Sequence, residues 1–346
     1  MKGEKARRPT LRDVANLAGV DPSLVSRVVS NDPRSTASAK TAKKILEAVQ
    51  VLGYKPNLMA RGLRMSRTLT LGLLLPSLNN PMYSDVILGV EERALELGYG
   101  VVIGIHLEGA SVRSFTRLLE QGRVDGLLIA SGVLSDEFMR DISHSDHGPV
   151  VMVNRRVQGV KASVIVDDAS AAAMATAHLV GAGHKHIAGL FGASSIDTTK
   201  RRRQGYQSLM KRHNLDPIEV EMPSWGIRDG HRATSELLLS HPQTTALFAS
   251  TFLMGVGAIR ASFDLGRKVP DSVSVIALHD SEIAGFLNPP LSTVRLPSRE
   301  MGATAVDLAL SMIEGGEARS IMVKSPMDLV VRKSVRWTQS TLKHGS

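Results

Sequence analysis

The sequence predicts a small all-α domain with a helix-turn-helix pattern, followed by an α/β core of two lobes built on doubly wound parallel sheets. Three observations carry this. Short, capped helical periods fill residues 10–54. From residue 69 onward, near-continuous apolar runs of strand length alternate with amphipathic helical periods, as expected when helices cover both faces of a sheet. There are too many such units for one sheet of usual size, so two lobes flanking a cleft fit better, with ligand at the carboxyl ends of the strands.

The first helix is predicted over LRDVANLA, capped by Thr10 and stopped by Gly19. Asp21 caps the second, PSLVSRVVS, and Pro22 takes its first position, where a missing N–H costs nothing. Ser38 caps a third, AKTAKKILEAVQVLG, with Ile45, Leu46, Val49 and Leu52 on one face, and Gly53 ends it. In the core, LTLGLLLP reads as a buried strand and SDVILGVEERALELG as a helix. Strand YGVVIGI, helix VRSFTRLLEQG and strands VDGLLIA and PVVMVN follow. Residues 163–168 read as punctuation before the helix SAAAMATAHLVGAG. Then come strand HIAGLFG, helices RRRQGYQSLMKRHN and RDGHRATSELLLSH, strand TALFAS, helix LMGVGAIRASFDLG and strand VSVIALHD.

At 346 residues and 43% hydrophobic, the chain suits two or three domains with sizeable cores. It has no cysteine, which excludes a disulfide framework, a thiol nucleophile and a cysteine metal site and suits a reducing cytoplasm. The charged start MKGEKARRPTLRD leads into no apolar h-region, so it does not read as a secretory signal. No run approaches the roughly 20 apolar residues of a membrane span, so no membrane partner is expected. The formal charge is +9, and residues 1–68, with 14 Lys/Arg against 5 Asp/Glu, account for all of it. A polyanion partner for that segment is the natural inference; a solubilising tail is the alternative.

The helix–turn–helix candidate sharpens that inference. Ala15 and Ala18 allow close helix approach, and Val14, Leu17, Val20, Val25 and Val28 can form a small core. That leaves Ser23, Ser26 and Arg27 on the outer face. Arg27 is suited to a bidentate contact with a guanine edge, worth roughly 1–3 kcal/mol of discrimination, or pairs instead with Asp13 or a phosphate. Ser23 can donate or accept, and Pro22 offers an apolar contact. Ser26, Lys40, Lys43, Lys44 and Lys55 suit phosphates, which position without reading sequence.

Here the residues carry a resemblance. TLRDVANLAGVDPSLVSRVV and SAKTAKKILEAVQVLGYKPNLMARGL resemble the headpiece and hinge of lactose-repressor-type (LacI/GalR) bacterial transcription regulators. The likeness continues through NNPMYSDVILGVEERALELGY, HLVGAGHKHIAGL, MGVGAIRA, VSVIALHD and PPLSTVRLPSREMGATAVDLAL, so it spans nearly the whole chain. It implies a periplasmic-binding-protein-like core, a homodimer on a pseudo-palindromic double-stranded DNA operator, and allosteric switching by a small-molecule effector between the lobes, with no enzyme activity and no cofactor. The implied division is a headpiece over 1–55, a hinge helix and linker over 56–68, and a core over 69–340. Lobe 1 would hold about 69–166 and 297–325, and lobe 2 about 167–296 and 326–340. DNA contacts are implied for Thr10, Tyr54, Asn57, Ala60 and Arg61 besides the residues above. Leu63 falls where a side chain wedges into the central base step, and such wedges kink the duplex. Leu24 stands where a threonine is common, and the loop 31–38 is longer than usual.

The candidate effector groups are polar residues at strand ends and helix starts: Asn79, Asn80 and Tyr83, Ser131, Asn154 and Arg155, Arg202 at a helix opening, and His279 with Asp280. Trp225 offers an apolar wall. The resemblance matches Arg202 to the family's cleft arginine and Tyr83 to a ligand-packing aromatic. Asn154 and His279 fall where sugar-binding members have aspartates, and Thr251 with Phe252 where many have Asn-Asp. Losing those carboxylates beside Arg202 favours an anionic ligand such as a sugar acid.

Other patterns have plainer readings. His178, His184 and His186 lack a carboxylate at ligand spacing, so no metal is expected. GLFGAS lacks a full phosphate-loop pattern. Asp167 and Asp168 read as a lobe-crossing turn and helix cap. The residues after RKSVR lack the heptad leucines of a tetramerising tail, which favours a dimer. Two rival classes are a soluble two-lobed solute-binding protein and an α/β enzyme.

Overall fold

The computed structural model describes residues 9–29, 35–54, 67–105, 111–130, 134–143 and 147–337, with the side chains of 111–114 excluded. The chain divides into two units, Met1–Thr68 and Leu69–Ser346.

The first unit is built from locally capped helices. Helix α1 (Leu11–Ala18) opens on a capping box: the Thr10 N–H donates to Asp13 Oδ2 at 2.7 Å, and Thr10 Oγ1 accepts from the Asp13 N–H at 3.4 Å. Gly19 closes it at φ 64°, a left-handed conformation that glycine adopts without Cβ strain. Helix α2 (Pro22–Val29) starts on Asp21, whose Oδ1 accepts from the Ser23 N–H at 2.7 Å. Helix α3 (Ala39–Leu52) is capped by Ser38, which accepts from the Thr41 N–H at 3.2 Å. Val14, Ala15, Ala18, Val25, Ile45 and Ala48 form the core. Two leucines expected in apolar faces are not in it: Leu17 is 51% exposed and Leu46 50%. Leu17 lies on the flank of α1 away from Ala15, and Leu46 is one residue round from Ile45 on the side opposite Ala48, so the three-helix contact excludes both.

In the second unit, lobe 1 carries strands β1 (Thr70–Leu75), β2 (Gly100–Ile105), β3 (Gly126–Ile129), β4 (Val150–Val153) and β5 (Ser163–Ile165). Its helices are α4 (Pro81–Glu96), α5 (Ser111–Glu120) and α6 (Asp136–Ser143). Lobe 2 carries β6 (Ile187–Phe191), β7 (Ile218–Glu221), β8 (Ala246–Ala249), β9 (Ser274–Leu278) and β10 (Ser292–Arg295), with helices α7 (Asp168–Gly181), α8 (Asp197–Arg212), α9 (Ile227–Ser240) and α10 (Phe252–Asp264). The chain then returns: α11 (Ser298–Ile313) and β11 (Ser320–Met322) join lobe 1, and β12 (Asp328–Val330) joins lobe 2.

The sheets run β11-β5-β4-β3-β1-β2, all parallel, and β12-β10-β9-β8-β6-β7, parallel except for β12 against β10. The chain therefore crosses between lobes three times, after β5, after β10 and after β11. Helices α4 and α11 cross backbone to backbone: a Cβ on Gly89 would stand 1.8 Å from the Arg299 carbonyl oxygen, and one on Gly302 2.4 Å from that of Val86.

Three readings change. Residues 163–165, read as punctuation, are the buried strand β5; three residues are too few to show a period. Helix α4 starts at Pro81 on an Asn80 cap, before the predicted Ser84. Arg202 lies in the second turn of α8 rather than at its opening, because the helix begins at Asp197.

Candidate functional site

The sheets and helix starts of the two lobes enclose a cavity of about 530 Å³ at the carboxyl ends of the strands. Lobe 1 contributes Pro76 and Ser77 after β1, Asn79, Asn80, Met82 and Tyr83 at the start of α4, Ala130 after β3, and Asn154 and Arg155 after β4. Lobe 2 contributes Ile196 just before α8, Thr198 and Arg202 from α8, residues 224–229 leading into α9, Thr251 and Leu253 at the start of α10, and His279 after β9. Helix amino ends from both lobes thus converge on the cavity, and these ends carry partial positive charge.

Asn154 and His279 occupy matching places, each directly after a central strand, and both have φ 67°. Left-handed backbone is uncommon for residues other than glycine and tends to mark functional sites. Each also leaves a buried polar atom without a partner among the described residues: Asn154 Oδ1 and His279 Nδ1.

Arg202 is 3% exposed and held on three sides. Its Nε donates to Asp168 Oδ1 at 2.7 Å, Nη1 to the Ser250 carbonyl at 2.7 Å and Nη2 to His279 Nε2 at 2.9 Å. Asp168 is fully buried and also receives Arg201 Nη2 at 2.6 Å, so one carboxylate serves two guanidiniums. Arg155 is 3% exposed, paired with Asp136, and donates to the Leu134 carbonyl at 3.1 Å. Burial, and then the Arg202 charge, hold the His279 pKa well below 6.5, so its ring is neutral. Burial pushes the Tyr83 hydroxyl above its usual value against the weaker pull of Arg202 and Arg155.

The lobes also bond directly beside the cavity. Thr198 Oγ1 donates to the Asn154 carbonyl at 2.6 Å, and the Arg156 N–H donates to Asp197 Oδ2 at 2.8 Å. The Trp225 indole lies on Gly192, where a Cβ would stand 2.2 Å from its Nε1. That contact accounts for the second glycine in GLFGAS.

This plan, a capped three-helix unit and a two-lobed α/β cleft, recurs in known proteins. The model "Bacterial regulatory proteins, lacI family" matches residues 10–57, and "Periplasmic binding protein-like domain" matches 176–335. The HTH-type transcriptional repressor PurR of Photobacterium profundum is 31% identical over 337 residues, covering 94% of this chain and 98% of that one. The chain belongs to the lacI family of bacterial regulatory proteins. The ribose operon repressor of Escherichia coli is 33% identical over 319 residues, with 88% and 93% covered. A lac repressor dimer bound to operator and the anti-inducer ONPF superposes with TM-score 0.79 at 29% identity, covering 95% of this chain and 100% of that one. A CelR–cellobiose complex gives 0.70 at 28%, covering 94% and 100%.

As a lacI-family member the chain is a DNA-binding transcriptional regulator, with a reading unit at its amino end and a ligand-binding core. The structure brings Tyr83, Asn154, Arg202, Trp225, Thr251 and His279 to the cavity wall. Phe252 is not there. It is 2% exposed in the lobe 2 core with Met254 and Ala258, and Leu253 lines the cavity in its place, because successive helix positions point about 100° apart and only one of the two can turn to the cleft. Ser131 lies outside the described residues. Sequence reading missed Ile196, Thr198, Leu253, Arg228 and Asp229; the latter two were visible only as the opening of a helix, with nothing to aim them at the cleft.

In the reading unit, Ser23, Arg27 and Lys40 are exposed, and Pro22 and Ser26 half-buried. The Thr10 hydroxyl donates to Asp13 Oδ2 at 2.7 Å, and Tyr54 packs against the core. Asn57, Ala60, Arg61 and Leu63 lie outside the described residues. Of the three histidines, His184 bridges Thr245 and the Arg336 carbonyl, and His178 meets Trp337 edge-on at 6.3 Å. Asp167 caps α7, accepting from the Ser170 N–H at 3.0 Å.

Proposed function

We propose that this regulator is a repressor that binds a pseudo-palindromic operator as a homodimer and is switched by a small anionic effector in the cleft. It acts by binding, without catalysis, in the cytoplasm where its DNA lies. The lining of the cleft carries the choice of effector. Of the lining arginines, Arg155 and Arg202 are paired with Asp136 and Asp168, Arg228 has no partner among the described residues, and the one lining carboxylate, Asp229, is held by Ser224 and Arg232. Positive charge in a partly enclosed cavity is best matched by a carboxylate or phosphate.

The dimer reading is supported by apolar side chains that the chain leaves exposed. Edge strand β2 presents Val102, Ile103 and Ile105, and lobe 2 presents Ile283 and Phe286, the latter 82% exposed. On the DNA, Ser23 and Arg27 read base edges, Lys40 and Ser26 meet phosphates, and Asn57, Ala60, Arg61 and Leu63 carry the hinge contact with Leu63 as the wedge. Thr10, Pro22 and Tyr54 complete the contacts.

Duplexes selected from a random pool by the full-length protein test the operator reading. An inverted repeat is expected; a single asymmetric half-site rejects the dimer. Calorimetric titration with sugar acids and matched neutral sugars tests the effector, and binding of neutral sugars alone rejects the anionic class.

A further inference from the structure

The three cleft arginines are not equivalent. Arg155 is paired with Asp136 and Arg202 with Asp168, and both are buried. Arg228 is exposed and makes no hydrogen bond or ion pair with any described residue. It stands in the first turn of α9, whose N-cap, Gly226, offers no side chain to the open N–H groups. The acid in that turn, Asp229, accepts from Ser224 and from Arg232 Nη2 at 3.1 Å, so its charge is already answered.

A second observation in the same cavity is independent of that helix. An arginine can only donate, so Arg202 fixes His279 Nε2 as acceptor and leaves the ring proton on Nδ1. That Nδ1–H is buried, in a residue 3% exposed, and has no acceptor among the described residues. A buried donor without an acceptor is costly, and a ligand oxygen removes the cost. An unpaired guanidinium, an uncapped helix amino end and an orphaned donor all ask for an acceptor-rich, negatively charged group.

Resting on the anionic reading above, we infer that Arg228 and the amino end of α9 receive the charged end of the effector, with His279 Nδ1 donating to the same molecule. Arg202 is a positioning residue: it sets the His279 tautomer, and its own charge is spent on Asp168. The ligand class is a small carboxylate or phosphate monoester whose uncharged part lies against Tyr83 and Trp225.

Trp225 is a built-in reporter, and Trp337→Phe removes the other tryptophan. The Trp337→Phe protein is titrated at constant ionic strength with gluconate, glucose 6-phosphate, inorganic phosphate and glucose, following Trp225 emission. A saturable response to at least one anion and none to glucose is expected, and the responding anion separates carboxylate from phosphate. Adding Arg228→Met should weaken that anion at least about tenfold, and Arg228→Lys less, since lysine keeps the charge but loses the planar fork. Unchanged melting without ligand shows that the fold is intact. If Arg228→Met binds the anion as tightly as its parent, the inference is overturned while the anionic reading stands. If only glucose binds, or no anion saturates, both fall.

Discussion

Arg202 Nη2 donates to His279 Nε2 across 2.9 Å, joining α8 to the residue after β9 inside the cleft. The bond requires a neutral ring, because a protonated imidazole has no lone pair to offer. Acidification therefore works against the folded cleft. The folded pKa of His279 lies below the 6.5 of an unperturbed histidine, so its contribution is complete above about pH 6.5 and declines as the pH falls beneath it. Unfolding midpoints from pH 7.5 to 5 should fall more steeply for the wild type than for His279→Gln. Burial shifts His178 and His184 in the same direction, so the difference between the two proteins is the quantity to read.

Asp168 is the counter-charge for both Arg201 and Arg202, at 2.6 and 2.7 Å, and is fully buried. Removing it leaves Arg202 without a counter-charge in low dielectric, while Arg201 keeps Asp197. Asp168→Ala should cost about 3–5 kcal/mol in urea unfolding. A loss below 1 kcal/mol would mean that water reaches this network freely.

Asp280 ties three strand ends in lobe 2, accepting from Thr293 at 2.6 Å, Arg295 at 2.6 Å and Arg332 at 2.7 Å. Burial alone would raise its pKa, but these hydrogen bonds outweigh burial and bring it down to about 2. Its contribution is full above the unfolded pKa and is lost as the pH falls from about 4 through 2. Asp280→Asn should cost about 1–2 kcal/mol at pH 7, and the gap to wild type should narrow as the pH falls below about 4 and close only below about pH 2. A gap that persists in acid would assign the cost to packing instead.

The α4–α11 crossing leaves no room for a methyl group, since the obstacle at both glycines is a backbone carbonyl. Gly89→Ala or Gly302→Ala should destabilise the core by about 1–3 kcal/mol or more, because the helices must move apart. Gly98→Ala is a contrasting case: nothing lies within 4 Å of its added Cβ, so any cost there comes from its φ of 77°.

At the DNA, Arg27→Ala should relax base preference at one position of each half-site, at about 1–3 kcal/mol of discrimination. Lys40→Ala should weaken all duplexes alike and flatten the salt dependence of binding by about one phosphate's worth. Competition gel shifts across a salt series separate the two. Equal effects on specific and nonspecific duplexes from Arg27→Ala would move that residue to the phosphates.

The features legible in the sequence share one property: their partners are close along the chain. Thr10 finds Asp13, Asp21 finds Ser23 and Ser38 finds Thr41 within three residues, and Gly19 and Gly53 end helices by their own backbone freedom. The alternation of apolar runs and helical periods likewise fixed two α/β lobes, since each run needs only to be buried on both faces. The shortest strands escaped because three residues carry no period, and β11 and β12 belong to sheets whose other strands lie far away in the chain.

What tertiary structure alone decided is how charge is spent in the cleft. A row of four basic residues at 200–203 looks uniform in the sequence. In the fold, Arg201 pairs with Asp168 and Asp197, Arg202 reaches a histidine 77 positions away, and Arg203 goes to Glu219 and Glu221. Arg228, unremarkable as a letter at a helix start, is left as the cleft arginine without a described partner. The sequence determined which charges exist and which segments carry them. Their pairing depends on distances between strand ends that meet only when the sheets and lobes have assembled, and no local pattern encodes those distances.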